Sequence, residues 1–456
     1  MTTATATAPA AAGWTSRFPL VALFIRFVGP AALTAAGMIG AGAVATRLLA
    51  GAWFGFDLLW VALIVIPMVI FTLDSASRVG ILANGRGLID MVRTDLGAWL
   101  AWAVFLPMAL VNVVVNMSQM SAMVEGAYGA IGMLPPAGGE TTLGLVIVTL
   151  VLTGATVVAA VMGGYRRMEV IMTALLVVIL ISFIVVAIKG LLDWRTWGAL
   201  VGGLVPSIPA DLPVAGQPDR IRGGFTQIMA IAGQALPPAV FLSYGYLAAN
   251  SGFTRADIKP AFWKTVTNLG VVWGIFSVVV IVAGATALHD VYTGSGPTHL
   301  GVRHYSEIES IPVAGQVLGP AFPGALGFLA PRFFSLGLIA AAFTTLISVS
   351  LTMTYFCLDI VKRDWRFTKD NGAFKVVFAT WITLPALVAP FWQLPALLKA
   401  ILAMVGNLLM APLAVAIIIY FVNRPSMGEY RANAGRNAVL AVTLLFALAL
   451  VINGLR

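Results

Sequence analysis

The chain has 456 residues, 60% of them hydrophobic and only 10% charged, with a mean hydropathy of +0.96. A soluble domain carries about 25% charged residues, so the composition excludes a soluble globular protein and points to a polytopic membrane protein. The formal charge of +9 then belongs to membrane-flanking loops rather than to a nucleic-acid surface, and the single cysteine, Cys357, excludes an intrachain disulfide.

In chain order, the opening MTTATATAPAAAG lacks the charged start and cleavage pattern of a signal peptide. Residues 1–20 read as a disordered cytoplasmic tail, and the first span is retained. Apolar runs of about 20 residues predict an all-α protein with eleven transmembrane helices. They lie at roughly 21–49, 57–82, 98–132, 142–163, 168–190, 224–249, 260–289, 323–360, 373–390, 393–422 and 437–454. With the N-terminus inside, eighteen of the 27 Lys and Arg fall in the inner segments. The positive-inside rule therefore places the N-terminus in the cytoplasm and the C-terminus outside a bacterial-type inner membrane.

Two of these spans are built to break. The stretch 29–51, GPAALTAAGMIGAGAVATRLLAG, is apolar yet holds five glycines, each costing about 1 kcal/mol in a helix interior relative to alanine. A break is expected at 40–43. The stretch 231–246, IAGQALPPAVFLSYGY, carries Gly233 and the pair Pro237–Pro238. Proline lacks the amide and clashes with the preceding turn, so a second break is expected at 233–238. Interrupted hydrophobic segments in matching halves mark the central site of a secondary transporter. Five crossings separate the two, so the halves are antiparallel. The expected units are a first five-helix repeat at 21–190, an outer loop at 191–223, an inverted repeat at 224–422, and a loop with an eleventh helix at 423–456. The three histidines, His289, His299 and His304, fall around a second outer loop, 290–322, and read as solvated loop residues.

The sequences GPAALTAAGMIGAGAVATRLLAG, then FGFDLLW at 54–60, then SRVGILANGRGLIDMVR at 77–93 resemble the NRAMP family of divalent-metal transporters. The resemblance implies a LeuT-like 5+5 inverted repeat with discontinuous helices 1 and 6. The family's metal chemistry does not carry over. Where its first break has Asp-Pro-Gly-Asn, this chain has Gly40, Ala41, Gly42 and Ala43; where its second has Met-Pro-His-Asn, this chain has Pro237, Pro238, Ala239 and Val240. Asn116 and Gln119 stand nearest to the family's acidic pair on the third span, and Tyr244 replaces a histidine. Divalent cations bind through carboxylate, imidazole, thiolate or several oxygens, so no metal is expected between the breaks.

Such a site keeps two helix N-termini, which favour anions. The expected cargo is accordingly a small anion, bicarbonate or a short carboxylate, held by Gly40, Ala41, Gly42, Ala43, Arg47, Gln234, Pro237, Pro238, Ala239 and Tyr244. Arg47 either attracts the anion or snorkels to the headgroups. On the eighth span Thr344, Thr345 and Ser348 offer hydroxyls for a coupling Na⁺, or bond their own helix. Asp74, Asn116, Gln119 and Glu125 are candidates for a gate or relay, with Asp74–Arg78 alternatively a local i,i+4 pair. The competing reading is a divalent-metal transporter, for Mg²⁺ or Mn²⁺, with a relocated site. No HExxH, GxSxG or phosphate-binding loop supports an enzyme, and neither a cofactor nor an obligatory protein partner is indicated. The partners expected are the substrate and the bilayer.

Overall fold

The computed structural model describes residues 38–455 apart from 84, 137–141, 162–164, 215–216, 251, 290–308, 323, 367 and 369–370. The expectations for 1–37, His299 and His304 lie outside the described residues.

Helix α1, Ala41–Phe54, is followed by α2, Leu59–Leu82, a short α3, Leu88–Asp95, and the long α4, Ala98–Ala130. Then come α5, Leu143–Val161, and α6, Tyr165–Leu191. The expected outer loop 191–223 holds a short α7, Thr196–Gly202, bent by 112° from α6, and an antiparallel hairpin, β1 Leu212–Val214 with β2 Gln217–Arg222. The second half opens with α8, Gly224–Ala235, and α9, Pro238–Asn250. Next, α10, Ile258–Thr265, passes through a π-helical stretch, Val266–Trp273, into α11, Gly274–Ala287. After a short α12, Ile311–Ala314, the chain ends with α13, Leu329–Ile360, α14, Gly372–Val388, α15, Ala396–Val422, and α16, Ala434–Gly454.

Among the described residues nine helices, counting α8–α9 as one, are long and apolar enough to cross a membrane, or ten if the bent α6–α7 pair is one span. The first of the eleven expected spans begins outside the described residues. Burial orders the bundle. The apolar window of the α8–α9 span is 78% buried, against 22% for α5 and α16. The broken span is therefore the centre and those two helices are the rim. Their outward faces show Leu150, Val151 and Leu445 at half exposure or more, as a lipid-facing surface requires. At the centre, backbones rather than side chains set the spacing. A Cβ on Gly51 of α1 would strike the Ile281 carbonyl of α11, and a Cβ on Gly284 would meet the Gly51 Cα at 3.3 Å. Small residues let membrane helices approach this closely.

Candidate functional site

Both expected breaks are present, each shorter than the sequence implied. Before α1 the chain is non-helical at Ile39–Gly40, with Gly40 extended at φ −91° and ψ −176°, and Ala41, Gly42 and Ala43 already belong to the helix. Between α8 and α9 only Leu236 and Pro237 are non-helical. Gly233 lies inside α8 for another reason: a Cβ there would fall on the Met404 carbonyl of α15. Pro238 opens α9, where a missing amide costs nothing. Ala239 is buried beside it, as is Tyr244 one turn further on.

Neutral side-chain oxygens and amides fill the space around these breaks. Gln119 Oε1 accepts the Ala41 amide at 3.3 Å, so one of the first free amides of α1 is already matched. Gln234 Nε2 donates to the Met38 carbonyl at 2.5 Å and ties one broken span to the other. Its Oε1 is buried and without a hydrogen-bond partner among the described residues. Asn116 Nδ2 donates to Ser350 Oγ at 3.0 Å and to the Trp381 carbonyl at 2.9 Å, and its Oδ1 is likewise unmatched. Thr345 of α13 stands so close that a Cβ on Gly40 would overlap its hydroxyl. The Met404 thioether packs on Gly42 and accepts a long contact of 3.7 Å from Asn407 Nδ2. The fold thus brings Gln119, Gln234, Thr345 and the opened backbone together, with Asn116 one turn before Gln119 on α4 and tied to α13 and α14.

Other expected site residues stand apart. Thr344 bonds back to the Ala340 and Ala341 carbonyls of its own helix, at 3.2 and 3.0 Å, and Ser348 is half-buried. Arg47 neither reaches the headgroups nor points to solvent. It is fully buried, with Nε on Ser277 Oγ at 3.0 Å and Nη1 on Thr46 Oγ1 at 2.8 Å. Asp74 holds Arg78 at 2.9 Å, as the i,i+4 spacing implied, and also binds Arg436 of α16. Glu125 accepts the Ala396 amide at 2.7 Å and the Ile311 amide at 3.2 Å, so its carboxylate caps α15 and α12. Beside it Lys399, buried, donates to Ser121 Oγ at 2.8 Å and the Ala389 carbonyl at 3.1 Å. His289 rests against the Ala52 carbonyl at 3.2 Å. Sequence reasoning missed a polar latch at the other end of the bundle. There Tyr246 donates to Asp359 and accepts the Ile89 amide at 3.0 Å, while the Asp90 amide donates to Asp359 at 3.1 Å. The ring of Tyr246 stacks on Tyr355 at 5.5 Å. No local pattern joins Asp90 of α3 to Asp359 of α13, 269 residues further on.

Among the described residues no three His, Cys, Asp or Glu side chains converge as a metal cage would require. Among the described residues, a cation between the breaks would meet neutral oxygens and the Met404 thioether.

A family model described as natural resistance-associated macrophage protein-like matches residues 31–455. The chain belongs to the Nramp family. This Nramp protein is 26% identical over 302 residues to a protein of Acidiphilium cryptum named divalent metal cation transporter MntH, covering 65% of this chain and 61% of that one. It is 24% identical over 417 residues to the Verminephrobacter eiseniae protein of the same name, covering 90% and 84%. Its fold matches a crystallised mutant of the manganese transporter of Eremococcus coleocola, with a TM-score of 0.67 at 15% identity over 99% of this chain and 89% of that one. It also matches MhsT in complex with L-phenylalanine, with a TM-score of 0.55 at 13% identity, covering 91% and 96%. The fold is therefore the LeuT-like one expected, in a multi-pass membrane protein.

The same findings overturn the expectation of an anionic cargo such as bicarbonate. The relatives are named as metal cation transporters, and the α1 amide at Ala41 expected to help hold an anion is taken by Gln119. The error lay in treating the loss of a carboxylate as an uncompensated positive field. Neutral oxygens had been left out of the balance.

Proposed function

We propose that this Nramp protein is a secondary transporter of a divalent metal cation, Mg²⁺ or Mn²⁺, in a bacterial inner membrane with its N-terminus in the cytoplasm. The cargo sits between the two breaks and is held by neutral oxygens rather than carboxylates. The observation that carries this reading is the unmatched, buried Oε1 of Gln234, on a side chain that already spans both broken segments. A buried acceptor without a donor costs about 1–3 kcal/mol, and a cation removes that cost. Asn116 Oδ1, buried and unmatched in the same way, and the Thr345 hydroxyl beside Gly40 supply further oxygens. Mg²⁺ dehydrates reluctantly and keeps several waters, which suits a site with few and uncharged ligands. A coupling Na⁺ held by hydroxyls of α13, Ser348 among them, is a role that sodium-free uptake assays test.

The test is uptake into liposomes containing the purified protein and a divalent-sensitive dye. Mg²⁺ and Mn²⁺ are expected to enter above empty liposomes, and Gln234→Leu is expected to lower the rate at least about tenfold, the loss of one ligand worth roughly 1.4 kcal/mol. Uptake of neither ion, or uptake untouched by Gln234→Leu in well-folded protein, removes this assignment.

On the same orientation the Tyr246–Asp359 latch closes the cytoplasmic end. Tyr246→Phe leaves the Ile89 amide and Asp359 short of a partner, a loss of about 1–3 kcal/mol. Faster hydrogen exchange across 88–95 is expected, with no change at the far end of α4.

A further inference from the structure

Arg47 carries a charge that nothing described in the structure balances. Its Nε and Nη1 are fixed by Ser277 and Thr46 at 3.0 and 2.8 Å, and Thr46 is itself held by donating to the Gly42 carbonyl at 2.9 Å. The guanidinium lies 4.8 Å from the centroid of the Trp273 ring. Two donors then remain. Arg47 Nη2 and Trp273 Nε1 are both buried with no hydrogen-bond partner among the described residues. No described carboxylate forms an ion pair with Arg47, although a guanidinium stays protonated in proteins and an isolated buried charge is strongly disfavoured.

Unmatched groups of this kind call for an acceptor, and an unbalanced cation calls for a negative one. Arg47, Trp273, Ser277 and Thr46 are each 0% exposed, which shields the acceptor from water and favours a small one over a carboxylate or a phosphate. Trp273 also ends the π-helical stretch Val266–Trp273, a widened turn of the type that often marks functional sites. We propose that a resident halide, of the chloride class, binds between α1 and α11 on Arg47 Nη2 and Trp273 Nε1. The anion is held and not carried. Arg47 lies seven residues along α1 from Gly40, about 10 Å at 1.5 Å per residue, so a bound halide cancels a charge that would repel a cation approaching the breaks. The site follows from the unmatched donors alone and does not rest on the identity of the cargo.

The experiment compares the thermal unfolding of the purified full chain in chloride, bromide and gluconate at one ionic strength, together with bromide anomalous diffraction. A saturable rise in Tm of about 2 °C is expected with either halide and not with gluconate, and an anomalous peak is expected between Arg47 and Trp273. Trp273→Phe keeps the ring over the guanidinium and removes the N–H; it is expected to weaken halide affinity up to about tenfold. Arg47→Met is expected to abolish the shift. Equal Tm values in all three salts, no bromide at this position, or a shift that survives Arg47→Met overturns the proposal. Should Arg47→Met fail to fold, the Trp273→Phe titration and the native bromide peak decide. Accumulation of labelled chloride in liposomes would refute residence, whereas failed Mg²⁺ or Mn²⁺ uptake would leave the halide site untouched.

Discussion

Asp74→Asn is expected to destabilise the folded protein by about 3–5 kcal/mol, because it removes the one negative charge of a buried cluster and leaves the positive charges behind. Asp74 is 1% exposed and pairs with Arg78 of its own helix and with Arg436 of α16. Arg436 is 9% exposed, with its guanidinium 5.5 Å from the centroid of the Phe71 ring. The charge left unpaired is therefore chiefly Arg436, whereas Arg78, at 18%, has more access to water. Removing both charges, as Asp74→Leu with Arg436→Met, is expected to recover much of the loss, since buried pairs are often replaceable by apolar groups of similar volume. Thermal unfolding of the single and double variants measures the coupling. Equal losses in Asp74→Asn and in the double variant would contradict a role for that ion pair.

Gly233→Ala is expected to be damaging as well, though less so and for a different reason. Its Cβ would fall on the Met404 carbonyl and lie 3.0 Å from the Leu408 Cβ, so a backbone must move. Overpacking typically costs about 1–3 kcal/mol, and here α8 and α15 must separate at the centre of the bundle. The expected outcome is a lower Tm and loss of a single peak on size-exclusion chromatography. Gly154→Ala on α5 is the control, with open space around the added methyl. It should behave as the unmodified protein.

The span pattern and both breaks were legible in the sequence, because glycine and proline act on the backbone locally. The breaks were read too broadly. Gly233 looked like a helix breaker, yet its lack of a side chain serves a contact with Met404, far away in the chain. Gln234 was legible as a polar group in an apolar segment, but its partner, the Met38 carbonyl, was not. Asp74–Arg78 followed from spacing, whereas Arg436 lies 362 residues from Asp74 and no local pattern joins them. Glu125 looked like a relay because depth in the membrane was all that could be seen; its partners are backbone amides of two other elements. Arg47 was placed near the membrane surface or in the substrate path, when Ser277 and Trp273 enclose it. The cargo was misread because neutral oxygens such as Gln119 Oε1 carry no sequence signature of a cation site.

The most direct measurement is anomalous diffraction from crystals grown with Mn²⁺. The predicted result is one strong peak between Gly40 and Pro237, within coordination distance of Gln234 Oε1, that fades when excess Mg²⁺ is added. A crystal with well-ordered broken helices and no ion beside Gln234, or with Mn²⁺ bound only elsewhere, would contradict a cation site built from neutral oxygens at the breaks.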